Sequence, residues 1–163
     1  MLRHGIAEAR RRGFPDEERA LTRDGKRKLS QVLALAHAAK VAPSVILTSP
    51  YRRALETAEM TAEALGCKNT VSAGALTPGS TPDAVWAEIR LRHKNEQAVL
   101  LCGHEPLLSQ TIAYILGAPR LDIDLKKGAL ARIDCEQVNQ KAHGVLKWLL
   151  TPRLAMAKAS SHG

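Results

Sequence analysis

The sequence predicts an α/β protein, a three-layer α/β/α sandwich around a mostly parallel central sheet. Three observations carry that expectation. Short apolar runs alternate with amphipathic stretches of roughly helical length along most of the chain. One run, Ala98 to Cys102, is apolar at every position, as strands covered on both faces are. The chain of 163 residues, 45% apolar and 25% charged, suits a single domain spanning 1–163 with its own core.

Each element follows from local pattern. A very short first strand at the N-terminus leads into Arg3-His4-Gly5. Between Asp24 and Lys40, the residues Leu29, Val32, Leu33 and Ala36 fall on one helical face, with Thr22 as N-cap and Pro43 beyond the end. Val45-Ile46-Leu47 reads as a buried strand. Ser49-Pro50 is expected to open the next helix, whose apolar face would be Leu55, Ala58, Ala62 and Leu65 and whose stop is Gly66. Residues 70–73 suggest a short strand, Thr77 to Ser80 a loop, and Pro82 to His93 a helix carrying Val85, Trp86 and Ile89. After the 98–102 strand, Gly103 to Pro106 is a turn, and Leu108, Ile112 and Ile115 mark a helix closed by Gly117. Two strands follow, near Ala129–Cys135 and Val145–Leu150. The tail from about residue 153 to 163 is expected to form a short helix at most before fraying.

Composition excludes several classes of function. No run approaches the ~18 apolar residues of a membrane span, and no apolar stretch near the N-terminus resembles a signal peptide. Cys67, Cys102 and Cys135 are widely spaced, without a CxxC pair, and are expected as buried free thiols in a cytoplasmic protein. The formal net charge of +8 would suit nucleic acid, but aromatic residues make up only 3%, too few for stacking platforms. A basic chain also suits partners that carry phosphate or acidic surface. The Arg10–Arg12 run is expected to be solvated, and Trp86 and Trp148 to pack. His37, His93, His143 and His162 are expected to be structural or solvated.

The chemistry concentrates at the carboxyl ends of predicted strands, where open parallel sheets place their sites. Arg3-His4-Gly5, Ser49 to Arg53, and Gly103-His104 would meet on one rim. Histidine can serve as nucleophile or proton carrier near neutral pH, and arginine presents a planar fork of donors to phosphate oxygens. A GxxxxGK[ST] loop is absent, so nucleoside-triphosphate chemistry is not indicated; neither is HExxH or a carboxylate cluster with ligand spacing. No metal or cofactor is therefore expected.

These motifs, in this order, resemble those of the histidine phosphatase (phosphoglycerate-mutase-like) superfamily. Arg3-His4-Gly5 resembles its RHG motif, and Ser49-x-x-x-Arg53-Ala54-x-x-Thr57-Ala58 its second arginine motif, with Glu56 where Gln is commoner. Gly103-His104 resembles its second catalytic histidine. Size, Leu21-Thr22-x-x-Gly25, His104-x-Pro106 and Trp148-x-x-x-Pro152 are most similar to the SixA-type phosphohistidine phosphatases. Only Met1 and Leu2 precede the RHG motif, where relatives usually have a longer strand.

The resemblance implies a metal-independent phosphatase with His4 as nucleophile and a phosphohistidine intermediate. Arg3, Arg53 and His104 would bind the transferring phosphoryl group. Attack requires a neutral His4 whose other ring nitrogen is held by an acceptor, such as a nearby backbone carbonyl. A dedicated leaving-group acid is missing: the corresponding loop reads Leu76-Thr77-Pro78, and Glu105 follows His104 where some acid phosphatases carry Asp. That gap favours phosphohistidine on a protein over a phosphate ester, with Glu8, Asp16 and Glu17 as candidate donors. The partner would be a phosphocarrier or phosphotransfer domain, and the protein a monomer without nucleic-acid or membrane partners. Two alternatives stay open: a phosphatase for small phosphate esters, and a non-catalytic phosphoprotein-binding module.

Overall fold

The computed structural model describes residues 1–160, with backbone alone for 158–160. Among these residues the strands are β1 (Leu2–Arg3), β2 (Val45–Thr48), β3 (Thr70–Ser72), β4 (Val99–Gly103), β5 (Leu130–Asp134) and β6 (Val145–Leu150). They form one sheet in the order β3-β2-β4-β1-β5-β6. β3, β2, β4 and β1 run parallel, β5 pairs antiparallel with β1, and β6 pairs antiparallel with β5. The mostly parallel sheet is as expected, with β5 alone reversed. The helices are α1 (Arg23–Ala38), α2 (Arg52–Leu65), α3 (Pro82–Arg92), α4 (Leu107–Ile115) and α5 (Pro152–Ser160).

Strand alternation builds two cores. Leu2, Ile46, Leu100, Cys102 and Leu130 face α1, α2 and α5. Val45, Leu47, Leu101, Ala129 and Ala131 face α3 and α4, where Trp86, Ile89, Leu108 and Ile112 pack. Because successive side chains point to opposite faces, a run such as Val45-Ile46-Leu47 must be apolar throughout to feed both layers. No helix is long and apolar enough to cross a membrane among the described residues. A cavity of about 710 Å³ lies at the amino ends of the parallel strands, lined by Met1, Val99, Leu101, Ala131, Ile133 and Trp148 among others. It holds none of the strand-end histidines.

Several local expectations are corrected. α2 begins at Arg52, with Tyr51 as an N-cap that lends no side-chain bond, so Ser49 does not cap it. Ser49 is fully buried, and its hydroxyl accepts from Tyr51 N at 3.3 Å and pairs with His104. The buried face of α2 is Arg53, Ala54, Thr57, Ala58, Thr61 and Leu65; Leu55 and Ala62 are only half-buried. The two threonines take core positions because each hydroxyl donates to the carbonyl four residues back, at 2.7 Å, leaving a methyl outward. Cys135 is half-buried, unlike Cys67 and Cys102. The short helix expected in the tail is α5, which docks on α1 with Ala155 buried in the core. The expectations for His162 and residues 161–163 fall outside the described residues.

Candidate active site

The carboxyl ends of β1, β2 and β4 meet at one rim. His4 leaves β1 and is held by backbone on both sides: its N–H donates to Gly103 O at 3.0 Å, and its carbonyl accepts from Gly128 N at 3.1 Å. The ring is 7% exposed. Nδ1 lies 2.7 Å from Gly5 O. A carbonyl oxygen only accepts, so Nδ1 carries the proton and Nε2 keeps its lone pair. This is the arrangement a nitrogen nucleophile requires. The Gly5 N–H, next along the chain, donates to Thr57 Oγ1 at 3.1 Å, tying the turn to α2.

Arg53, in the first turn of α2, is 3% exposed and donates from Nε to His4 Nε2 at 3.3 Å. Its guanidinium lies over the Tyr51 ring, 4.9 Å from the centroid. His104, beyond β4, is 2% exposed, with its ring centroid 5.0 Å from that of His4 and 5.2 Å from that of Tyr51. Its Nε2 pairs with Ser49 Oγ at 2.8 Å. Its Nδ1 is buried without a hydrogen-bond partner among the described residues. Arg3 donates from Nη1 to Leu125 O at 2.7 Å, while its buried Nε also lacks a partner. Both atoms belong to residues that follow or end central strands at this rim.

The structure therefore brings Arg3, His4, Arg53 and His104 together, as the strand-end reading expects. The three candidate proton donors part company. Glu8 pairs with Arg11 at 3.6 Å and accepts weakly from Ala20 N, and Glu17 is exposed on a turn; neither bonds to His4, Arg53 or His104. Asp16 does reach the site, but as an ion-paired carboxylate. Burial alone would raise its pKa, yet hydrogen bonds from Arg19, Arg10 and Arg53 hold it at about 2. A carboxylate held in that way is a poor proton donor, which weighs against Asp16 as the leaving-group acid. Arg19, Ser49 and Tyr51 went unassigned in the sequence reading of the site. The Asp16-x-x-Arg19 spacing, which closes on one turn at 2.8 Å, was the available signal for Arg19.

Both imidazoles are held neutral. Burial is the main cause for His4, pushed down to about 3, with His104, Arg53 and Arg3 adding to it against the Gly5 bond. Burial also leads for His104, pushed down to about 4, with Arg53, Arg3 and Arg19 lowering it and Asp16 opposing. In the unfolded chain both would titrate near 6.5. Below pH 6.5 the unfolded state thus takes up protons that the folded state refuses, and stability falls with falling pH. The contribution is fully present above pH 6.5 and is lost towards pH 4, at up to about 2.7 kcal/mol per pH unit for the two groups together. Urea unfolding at pH 7, 6 and 5 checks this: His4→Asn should roughly halve the slope, and an unchanged slope would contradict it.

Comparison with known proteins agrees with this geometry. Residues 1–75 match the family model for the histidine phosphatase superfamily (branch 1), and those residues contain Arg3, His4 and Arg53. This is a histidine phosphatase fold. SixA from Agrobacterium tumefaciens shares the fold with a TM-score of 0.79 and 22% identity, over 93% of this chain and 95% of that one. The protein histidine phosphatase SixA complexed with tungstate gives 0.78 and 25%, over the same 93% and 95%. A mycobacterial glucosyl-3-phosphoglycerate phosphatase complexed with VO3 gives 0.67 and 17%, over 90% and 95%. No curated protein matches the chain by sequence. The histidine phosphatase fold thus holds enzymes named for a phosphoprotein and enzymes named for a small ester.

Proposed function

We propose that this chain is a metal-independent phosphatase that hydrolyses phosphohistidine on a protein through a phosphohistidine intermediate at His4. The observation that carries the reading is the His4 Nδ1 bond to Gly5 O, which leaves the lone pair on Nε2, where it accepts from Arg53 until a phosphoryl group takes its place. In the first step the Nε2 lone pair forms a bond to phosphorus as the bond to the substrate's imidazole nitrogen breaks. Arg53 transfers its Nε–H from His4 to a phosphoryl oxygen. Arg3 Nε and His104 Nδ1, the two orphaned atoms, donate to the others. In that tautomer of His104 the Ser49 hydroxyl is the donor in its 2.8 Å hydrogen bond with Nε2. In the second step water attacks phosphorus, the bond to Nε2 breaks, and inorganic phosphate leaves with His4 restored. Positioning and fixed positive charge supply most of what such a transfer asks of the protein.

The engagement of the nearby carboxylates supports the substrate. Asp16 is ionised, Glu105 Oε1 is engaged by Ser109 N at 3.0 Å, and the 74–78 segment carries no carboxylate. The other ring nitrogen of a phosphohistidine is basic enough to hold a proton before the P–N bond breaks, so the imidazole leaves neutral, whereas an alkoxide needs a donor. The test is turnover of a phosphohistidine protein against phenyl phosphate, with chelator present. Fast release from phosphohistidine and poor hydrolysis of phenyl phosphate is the expected result. Faster ester hydrolysis would transfer the site to small-molecule esters. Tight phosphoprotein binding without turnover would make it a binding module.

A further inference from the structure

The geometry points to Asp16 as the positioning residue for Arg53, fixing where that arginine aims its Nε–H; the inference rests on phosphoryl transfer at His4. Asp16 lies in a single turn, Asp16–Glu18, at the far end of the segment that leaves β1. That excursion is closed at its base by the Ala7–Leu21 bridge, by Glu8 N donating to Ala20 O at 2.9 Å, and by Thr22 N donating to Ile6 O at 2.9 Å. The turn is therefore anchored before it meets the arginine.

Both terminal nitrogens of Arg53 end on this one residue. Nη1 donates to the Asp16 carbonyl at 2.6 Å and Nη2 to Oδ2 at 2.9 Å. A guanidinium is planar and rigid, so fixing two of its nitrogens fixes the third. Nε is thereby directed at His4 Nε2, which is where a phosphoryl oxygen must arrive for the attack. The other carboxylate oxygen, Oδ1, accepts from Arg10 Nε at 2.8 Å and Arg19 Nε at 3.0 Å. Arg19 in turn donates to Glu8 O at 2.6 Å. One carboxylate thus braces a buried guanidinium against two arginines of its own segment. The cluster keeps a net positive charge for the incoming anion.

Three roles for Asp16 make different predictions. The protein is compared with Asp16→Asn and Asp16→Glu on p-nitrophenyl phosphate, phenyl phosphate and a phosphohistidine protein, and by binding of orthovanadate and inorganic phosphate. As a positioning residue, Asp16→Asn should lower kcat by about 10- to 100-fold, the scale of a displaced catalytic group. The loss should be equal for both phenols, with KM little changed. Vanadate, which resembles the five-coordinate state, should lose more affinity than phosphate, and Asp16→Glu should recover part of it. A loss confined to phenyl phosphate, the poorer leaving group, would make Asp16 a proton donor and overturn the inference. Equal losses for vanadate and phosphate with a lowered Tm would reduce it to a structural brace, and no change would remove it. If the unaltered protein binds vanadate but turns nothing over, and Asp16→Asn weakens that binding more than phosphate binding, the phosphatase reading fails while the positioning of Arg53 stands.

Discussion

His4→Ala is expected to lower phosphohistidine hydrolysis by a factor on the order of 10⁴ or more, as removal of an attacking nucleophile does elsewhere. No neighbour substitutes for it. His104 is the nearest imidazole, but its ring centre is 5.0 Å away and its Nε2 is committed to Ser49. Arg3, Arg53 and His104 remain in the variant, so it should still bind vanadate while forming no covalent adduct. Acid-quenched enzyme exposed to labelled substrate provides the check. Label on nitrogen in the unaltered protein and none in His4→Ala is the expected pair of results. Label retained in the variant would mean that another group attacks.

Gly25→Ala is the second large effect, and it works through backbone. Thr22 caps α1 by accepting from Gly25 N at 3.0 Å, and Thr22 N and Oγ1 both donate to Ile6 O, at 2.9 and 3.2 Å. The first turn of α1 is thus pressed onto the strand-end loop two residues past His4. A Cβ on Gly25 would lie 2.1 Å from Ile6 O and 2.9 Å from Ile6 C, both backbone atoms without a rotamer to escape by. Alanine favours a helix interior by about 1 kcal/mol over glycine, so propensity alone predicts a more stable protein. The contact reverses the sign: a net loss of about 2–4 kcal/mol is expected, the range of overpacked cores and broken caps. Activity should fall with stability, because the displaced Ile6 backbone adjoins the Gly5 carbonyl that holds the His4 proton. Urea unfolding beside kcat measures both, and an unchanged midpoint would refute the argument.

What was legible in the sequence was what local pattern controls. The apolar runs at 45–47 and 98–102 became β2 and β4, and Thr22, Gly66 and Gly117 mark their helix ends as read. The strand-end motifs placed four polar side chains correctly because a parallel sheet gathers its carboxyl ends regardless of loop detail. What stayed hidden depends on partners distant in sequence. Ser49 has the composition of an N-cap, but a histidine 55 positions away claims its hydroxyl. The face of α2 was misjudged because Thr57 and Thr61 count as polar on any hydropathy scale, whereas a bond to the preceding turn makes them core residues. Asp16 stood beside Glu8 and Glu17 as one of three candidate donors for the same reason. A lone carboxylate in a loop suggests a proton donor, and only the fold shows the three arginines gathered around it.

The two-residue β1 has a consequence for how the molecule ages and fails. Its register consists of Leu2 and Arg3 against Cys102 and Gly103 on one side and Leu2 against Leu130 on the other. His4 thus follows the shortest strand of the sheet, and what holds it is backbone on either side: Arg3 N to Ala129 O, His4 N to Gly103 O and Gly128 N to His4 O. Opening that segment would break those bonds together and leave α1, α2 and the β2–β4 pair standing. A molecule opened in this way would stay folded while lacking one side of its rim. An anion held by His4 as well as by Arg53 and His104 would favour the closed form. Occupancy of the rim would thereby also steady the segment that builds it.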